Sequence, residues 1–128
     1  MGKYLLRSML YVPAYNEKLV EKSLTANADA MIYDLEDSVP QIHKKVAREN
    51  VEKLIHTGAI KNKQVFVRVN SLDSQQLIED LKYVLYPDIT GLVLPKINTA
   101  EDMEYFDFQG LELILVELPE MKLKKNLL

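Results

Sequence analysis

The sequence contains no cysteine, which excludes disulfides, thiolate nucleophiles and cysteine-ligated metals. Histidine is scarce as well: only His43 and His56 are present, too few for a histidine-rich zinc site. No charge of one sign prevails. The 16 Lys and Arg against 19 Asp and Glu leave a formal net charge of -3, which argues against a surface built to coat nucleic acid or an anionic membrane. Long apolar runs are missing too. Lys3 and Arg7 interrupt the first residues, and residues 9–14 are too short a stretch for an export signal or a membrane span. Met1-Gly2 opens like a myristoylation site, but Leu6 stands where Ser or Thr is wanted. The expectation from these absences is a soluble cytoplasmic protein.

What is present is ordinary globular composition, 48% hydrophobic and 27% charged, which argues against disorder. At 128 residues the chain has room for one domain with a modest core. Short apolar runs alternate with longer amphipathic ones. Residues 8–12 read as a strand stopped by Pro13, since proline cannot donate to a sheet ladder. Asn16 is placed to cap a helix that carries Leu19, Val20, Ser23 and Leu24 at helical spacing. Residues 30–33 form a second strand running into Asp34-Leu35-Glu36-Asp37. After Pro40 a second helix is expected, with Val46, Val51, Leu54 and Ile55 turned inward and Gly58 at its end.

Residues 64–69 are the third strand, whose valines alternate with Phe66 and Arg68 as two faces require. Ser71 or Asp73 is expected to cap a third helix that buries Leu77, Ile78, Leu81, Val84 and Leu85. Residues 91–94, stopped by Pro95, are the fourth strand. Thr99 then opens a short helix through Met103 and Phe106, with Asp102 in an approximate capping box. Residues 111–116 are the fifth strand. Beyond Glu117 the pattern breaks off, and residues 121–128 read as a tail with at most a stub of helix and no sixth strand. Five strands alternating with four helices predict right-handed crossovers and a parallel sheet covered on both faces. With nothing covering them, strands one and five would present free edges.

In parallel α/β folds ligands bind at the carboxyl ends of the strands. Those ends carry Pro13-Ala14, then Asp34, Glu36 and Asp37, then Arg68 and Asn70, then Lys96, then Glu117. Each has a plain structural reading beside the functional one. The three acids suit a helix start, where the dipole favours negative charge. Arg68 is harder to dismiss on an apolar strand, because a buried guanidinium demands an anion; its structural reading is an ion pair with Asp34 or Glu36. Asn70 reads as a turn residue before Ser71, Lys96 as a solvated lysine, and the two histidines as surface or packing residues on helices.

Five ordered motifs then carry a resemblance. Residues 7–14 (RSMLYVPA), 34–39 (DLEDSV), 47–50 (AREN), 67–70 (VRVN) and 93–96 (VLPK) occur in sequence and resemble the citrate lyase beta-subunit family, within the HpcH/HpaI aldolase superfamily. The resemblance covers nearly the whole chain up to about Glu120. It implies that residues 1–120 are the N-terminal part of a (β/α)8 TIM-barrel lyase domain, an α/β fold of which five parallel strands and four helices are present. It also implies cleavage of citryl or malyl-like thioesters to oxaloacetate or another keto acid and an acetyl thioester. The thioester is carried on coenzyme A or acyl carrier protein.

By that resemblance Arg68 grips the keto-acid oxygens. Glu36 and Asp37 join it in catalysis, and Arg7 and Glu117 bind substrate. Glu117 is also a ligand to Mg2+, although Leu118 departs from the usual Thr or Ser that follows it. The chemistry accounts for these residue types. Cleavage leaves an enolate and a new carbonyl, so a hard cation, a bidentate guanidinium and an acid able to move a proton all have work at one place. Partners implied are a second copy or other lyase subunits.

A complete barrel takes eight strands and typically about 250 residues. The family's second magnesium carboxylate lies beyond strand five and has no counterpart here. Three readings follow: part of a lyase, with the 128 residues inactive alone; a non-catalytic half-barrel that assembles or binds; and a receiver-like doubly wound domain. The last needs a phosphorylatable aspartate after strand three, where Arg68 and Asn70 stand.

Overall fold

Successive side chains on a strand point to opposite faces, and this chain fills both faces for different purposes. The computed structural model describes residues 8–95, together with the backbone of residues 113–117 and 124–127. Strands β1 (Met9–Pro13), β2 (Ala30–Asp34), β3 (Val65–Arg68), β4 (Gly91–Pro95) and β5 (Leu113–Glu117) alternate with helices α1 (Glu17–Ser23), α2 (Lys44–His56) and α3 (Leu77–Val84). Short 3-10 turns at Gln41–His43 and Leu72–Ser74 precede α2 and α3. The helix expected from Thr99 through Met103 and Phe106 lies outside the described residues, as do Arg7 and Lys96.

The five strands pair in parallel in sequence order. That order excludes the receiver-like reading, because a doubly wound sheet of that kind places its first strand between the second and third. The helices make the same point. Val20 of α1, Val51 and Leu54 of α2, and Leu77 and Leu81 of α3 all join one cluster with Met31, Tyr33, Val65, Val67, Leu92 and Leu94. Among the described elements the helices thus cover one face only, as in the wall of a barrel. Ala30, Ile32, Phe66 and Val93 form a separate cluster on the opposite face. Continuing the alternation on that second face brings up Asp34 after Ile32 and Arg68 after Phe66.

A sixth strand, β6 (Lys124–Leu127), pairs antiparallel with β5. The sequence reading of the tail as a helical stub and of β5 as a free edge is therefore corrected. A backbone edge of unpaired N–H and C=O groups takes any extended segment that reaches it, and the alternation rules do not register a short polar strand such as KKNL.

Local signals explain the helix ends. The Asn16 side chain accepts the Leu19 amide at 3.1 Å, the expected cap of α1. Gly58, at φ +76, follows α2 in the left-handed region. Its amide donates to the Ile55 carbonyl and that of Ala59 to the Leu54 carbonyl, the paired bonds of a glycine-terminated helix. Neither Ser71 nor Asp73 caps α3: the Ser71 hydroxyl bonds the Asp73 carboxylate, and Gln76 occupies the cap position. Several expected core positions are also corrected, since Leu19, Val46, Ile78 and Leu85 are exposed. In α2 the inward face is Lys44, Ala47, Arg48, Val51, Leu54 and Ile55; Val51, Leu54 and Ile55 lie on it as expected, and Val46 does not.

Candidate active site at the carboxyl edge

The strand register builds the site. Pro13 pairs with Asp34 and Asp34 with Arg68, so the ends of β1, β2 and β3 share one row. Arg68 pairs with Val93, Val93 with Leu115, and Pro95 with Glu117. Glu117 thus ends β5 two strands away from Arg68 and two residues further along, a backbone separation of about 12 Å from sheet spacings. Its side chain, like Arg7, lies outside the description. The register brings Glu117 to the same edge as Arg68.

Asp34 is buried and makes a two-toothed pair with Arg68: Nε donates to Oδ1 and Nη2 to Oδ2, both at 2.8 Å. The same carboxylate accepts the Glu36 amide at 2.8 Å, the Ser38 amide at 2.9 Å and the Ser38 hydroxyl at 2.6 Å. An aspartate folding its own following backbone into a turn is a local habit of that residue; here it also shapes the loop carrying Glu36 and Asp37. Burial pushes the Asp34 carboxyl up. The hydrogen bonds from Arg68 and Ser38, the Arg68 charge and the Glu36 amide outweigh it and hold the group below the ordinary aspartate value.

Arg68 keeps only a small exposed area and meets further groups, Glu36 and Tyr11 among them. Glu36 Oε1 lies 3.6 Å from its Nε, and its guanidinium carbon sits 4.7 Å above the Tyr11 ring, within cation–π range. The structural reading of Arg68 as an ion pair with Asp34 or Glu36 therefore holds for both acids. It does not compete with a ligand role, because a guanidinium locked by a carboxylate and backed by a ring is already oriented before any substrate arrives. Asp37 is exposed on the same loop.

Behind the loop lies a polar network that the sequence reading passed over. The ammonium of Lys44 donates to the carbonyls of Leu35 (2.9 Å) and Glu36 (2.7 Å) and to Asn70 Oδ1 (2.8 Å). Asn70 Nδ2 donates to Leu35 O at 3.1 Å and to Asp80 Oδ2 at 2.7 Å, and its amide also donates to Asp80. Arg48 Nε donates to Asp80 Oδ1 at 2.8 Å, and its Nη2 donates to the Gln76 side chain. Burial pushes the Lys44 ammonium down. The charges of Asp80, Asp34 and Glu36 act against that shift, while Arg48 adds to it.

Asn70 is thus a buried connector rather than a plain turn residue. Asn50, from the same AREN motif as Arg48, donates to the Ala14 carbonyl at 2.9 Å and ties α2 to the end of β1. His43 stacks on Tyr15 with ring centroids 4.9 Å apart, and His56 stays largely exposed, in keeping with packing and surface roles.

Residues 7–109 match the HpcH/HpaI aldolase/citrate lyase family. Citrate lyase subunit beta of Escherichia coli (strain K12) is 39% identical over 97 residues, covering 76% of this chain and 32% of that protein. A (3S)-malyl-CoA thioesterase of Cereibacter sphaeroides (strain KD131 / KCTC 12085) is 34% identical over 98 residues, covering 77% and 34%. Among solved structures, protein CitE from Mycobacterium tuberculosis in complex with magnesium and acetate superposes with a TM-score of 0.73 at 25% identity, over 93% of this chain and 48% of that one. The chain spans about a third of the length of these curated relatives. The match over residues 7–109, the sequence-ordered parallel sheet and the acidic loop locked to Arg68 belong together: the chain is a member of the HpcH/HpaI aldolase/citrate lyase family.

Proposed function

We propose that these residues are the N-terminal part, 1–120 with a short tail, of a carbon–carbon lyase. It cleaves a citryl or malyl-like thioester to a keto acid and an acetyl thioester. The observation that carries this reading is the Arg68 guanidinium, held two-toothed by Asp34 at the carboxyl edge with Glu36 at 3.6 Å. A dianionic keto acid needs a fixed, planar donor where its oxygens gain charge. Arg68 is that donor, and Arg7 and Glu117 complete the substrate contacts. Glu36 and Asp37 are the acids that move the hydroxyl proton of the substrate. Asp34, already filled by donors, orients and does not react.

Magnesium belongs to the proposal for the whole protein, where it supplies Lewis-acid polarisation of the keto oxygen. Among the described residues no three His, Asp or Glu side chains group to hold a metal. The described set alone therefore does not make the site, and no step is routed through the ion. Glu117 is its proposed ligand in this chain, with a second carboxylate expected outside it. The substrate carrier is coenzyme A or acyl carrier protein, the assembly includes further copies or lyase subunits, and the compartment is the cytoplasm. Among the described residues no helix is long and apolar enough to cross a membrane.

The test is an assay of keto-acid release from citryl-CoA and malyl-CoA with Mg2+. The 128-residue chain alone is expected to give little or none. A longer chain that carries these residues together with three more βα units is expected to give metal-dependent release. Arg68→Ala should lower that release about a hundredfold or more. The malyl-CoA thioesterase relative supports a second outcome, hydrolysis. Free malate and coenzyme A with no keto acid would replace the lyase reading by that one.

A further inference from the structure

Lys44 is a buried ammonium whose three protons go to uncharged acceptors, two of them consecutive main-chain carbonyls. In an extended strand, successive carbonyls point in opposite directions. A single cation that takes both Leu35 O and Glu36 O therefore requires the chain to bend between them. On the other side of the same bend, the Asp34 carboxylate takes the amides of Glu36 and Ser38. The loop is clamped by an anion on its N–H groups and by a cation on its C=O groups. The Glu36 carbonyl serves twice, accepting the Val39 amide at 3.2 Å as well as Lys44. The side chain that emerges from the bend is Glu36, 3.6 Å from Arg68.

Burial of a lysine is unfavourable unless every proton is satisfied, and an apolar side chain of the same length fills the same space. The charge is therefore kept for the carbonyls it gathers. Asn70 turns its oxygen to Lys44 and its amide to Leu35 O and Asp80, so the far end of the clamp rests on α3.

We propose that Lys44 is a positioning residue whose ammonium sets the bend that holds Glu36 against Arg68. Its consequence for turnover rests on the reading of Glu36 given above; the positioning itself does not.

The sequence has no cysteine, so Lys44→Cys carries a single thiol that can be alkylated in the unfolded chain, which is then refolded. An aminoethyl group restores the ammonium at nearly the lysine length; a propyl group has the same size without charge. With the propyl group, the amides of Glu36 and Ser38 are expected to exchange with solvent at least about tenfold faster than in the unaltered chain, while the Met31 amide in the sheet stays unchanged. The NMR signal of the Arg68 Nε–H should move as well. With the aminoethyl group both readouts should return to the values of the unaltered chain, a rescue that a space-filling role does not predict.

A chain that refolds only with the aminoethyl group also supports the proposal. Equal behaviour of the two groups in either readout overturns it, and so does failure to refold with both. Neither readout involves turnover, so a negative lyase assay and a negative result here are separate findings.

Discussion

Two arginine–aspartate pairs with the same 2.8 Å contact do different things in this protein. Arg48 meets Asp80 between α2 and α3, with side chains 7% and 0% exposed; Arg68 meets Asp34 at the strand ends, 12% and 1% exposed. The acid is completely shut away in both. What separates the pairs is where the rest of the acid's hydrogen-bonding capacity goes. Asp80 spends it on Asn70, binding a helix to a loop. Asp34 directs it to the amides of Glu36 and Ser38, folding the loop that carries Glu36 and Asp37. Arg68 alone of the two guanidinium groups lies on the sheet face opposite the helices, the inner face of a barrel. An ion pair of given length thus says little about role; the face it occupies and its remaining partners say more.

That contrast can be broken at its structural end first. Asp80→Ala leaves Arg48 buried without its anion and removes the acceptor of the Asn70 main-chain amide and one of the two acceptors of its Nδ2, so a loss of about 3–5 kcal/mol in denaturant unfolding is expected. Arg68→Ala removes the cation from a buried carboxylate that keeps the Glu36 and Ser38 donors. A smaller loss, about 2 kcal/mol, should appear in the same experiment. If the Arg68 variant proves the less stable of the two, the assignment of the inner pair to the ligand side rather than to scaffolding fails.

The next effect is pH-dependent. Asp34 titrates below its ordinary value when folded, so it stabilises the protein above the unfolded aspartate range and that stability drains away as pH falls through the lowered value. Ser38→Ala removes one donor to the charged carboxylate and should cost about 1 kcal/mol at neutral pH. The gap to the unaltered chain should close on acidification, as stability measured from pH 7 to pH about 2 would reveal. A constant gap would mean the hydroxyl serves packing instead.

The smallest effect is a control for both pairs. Lys45 and Glu49 lie 3.7 Å apart with side chains 76% and 49% exposed, and Lys45→Ala should change stability by about 0.5 kcal/mol or less, vanishing in high salt.

Much of the scaffold was legible along the chain. The short apolar run at residues 30–33, the alternation at residues 64–69, the Asn16 cap and the Gly58 stop are all local signals, and all recur in the structure. Arg68 stood out because a charge on an apolar strand calls for an anion. Lys44 and Asp80 did not, although a signal existed. Stepping back from Val51 along the inward face of α2 by helical spacing reaches Arg48 and Lys44, and Asp80 sits among Leu77, Leu81 and Val84. Stripes drawn from apolar residues alone placed Val46 and Ile78 inside instead, where both are exposed. A charged residue on a buried face is invisible until its partners are known; Asp80 lies 32 positions from Arg48 and Asn70 lies 26 from Lys44, whose other partners are carbonyls 8 and 9 positions back in an irregular loop.

By itself the sequence determined which segments extend, which coil and which strand ends carry polar groups, because those choices are settled by local periodicity and by residues that end or cap an element. Tertiary structure alone decided that the strands lie in sequence order with the helices on one face. It also decided that Asp34 rather than Glu36 takes the closer grip on Arg68, and that Lys44 gathers two carbonyls of the acidic loop. Those outcomes depend on which apolar faces and which charged groups are buried against one another, and only folding brings such groups into contact.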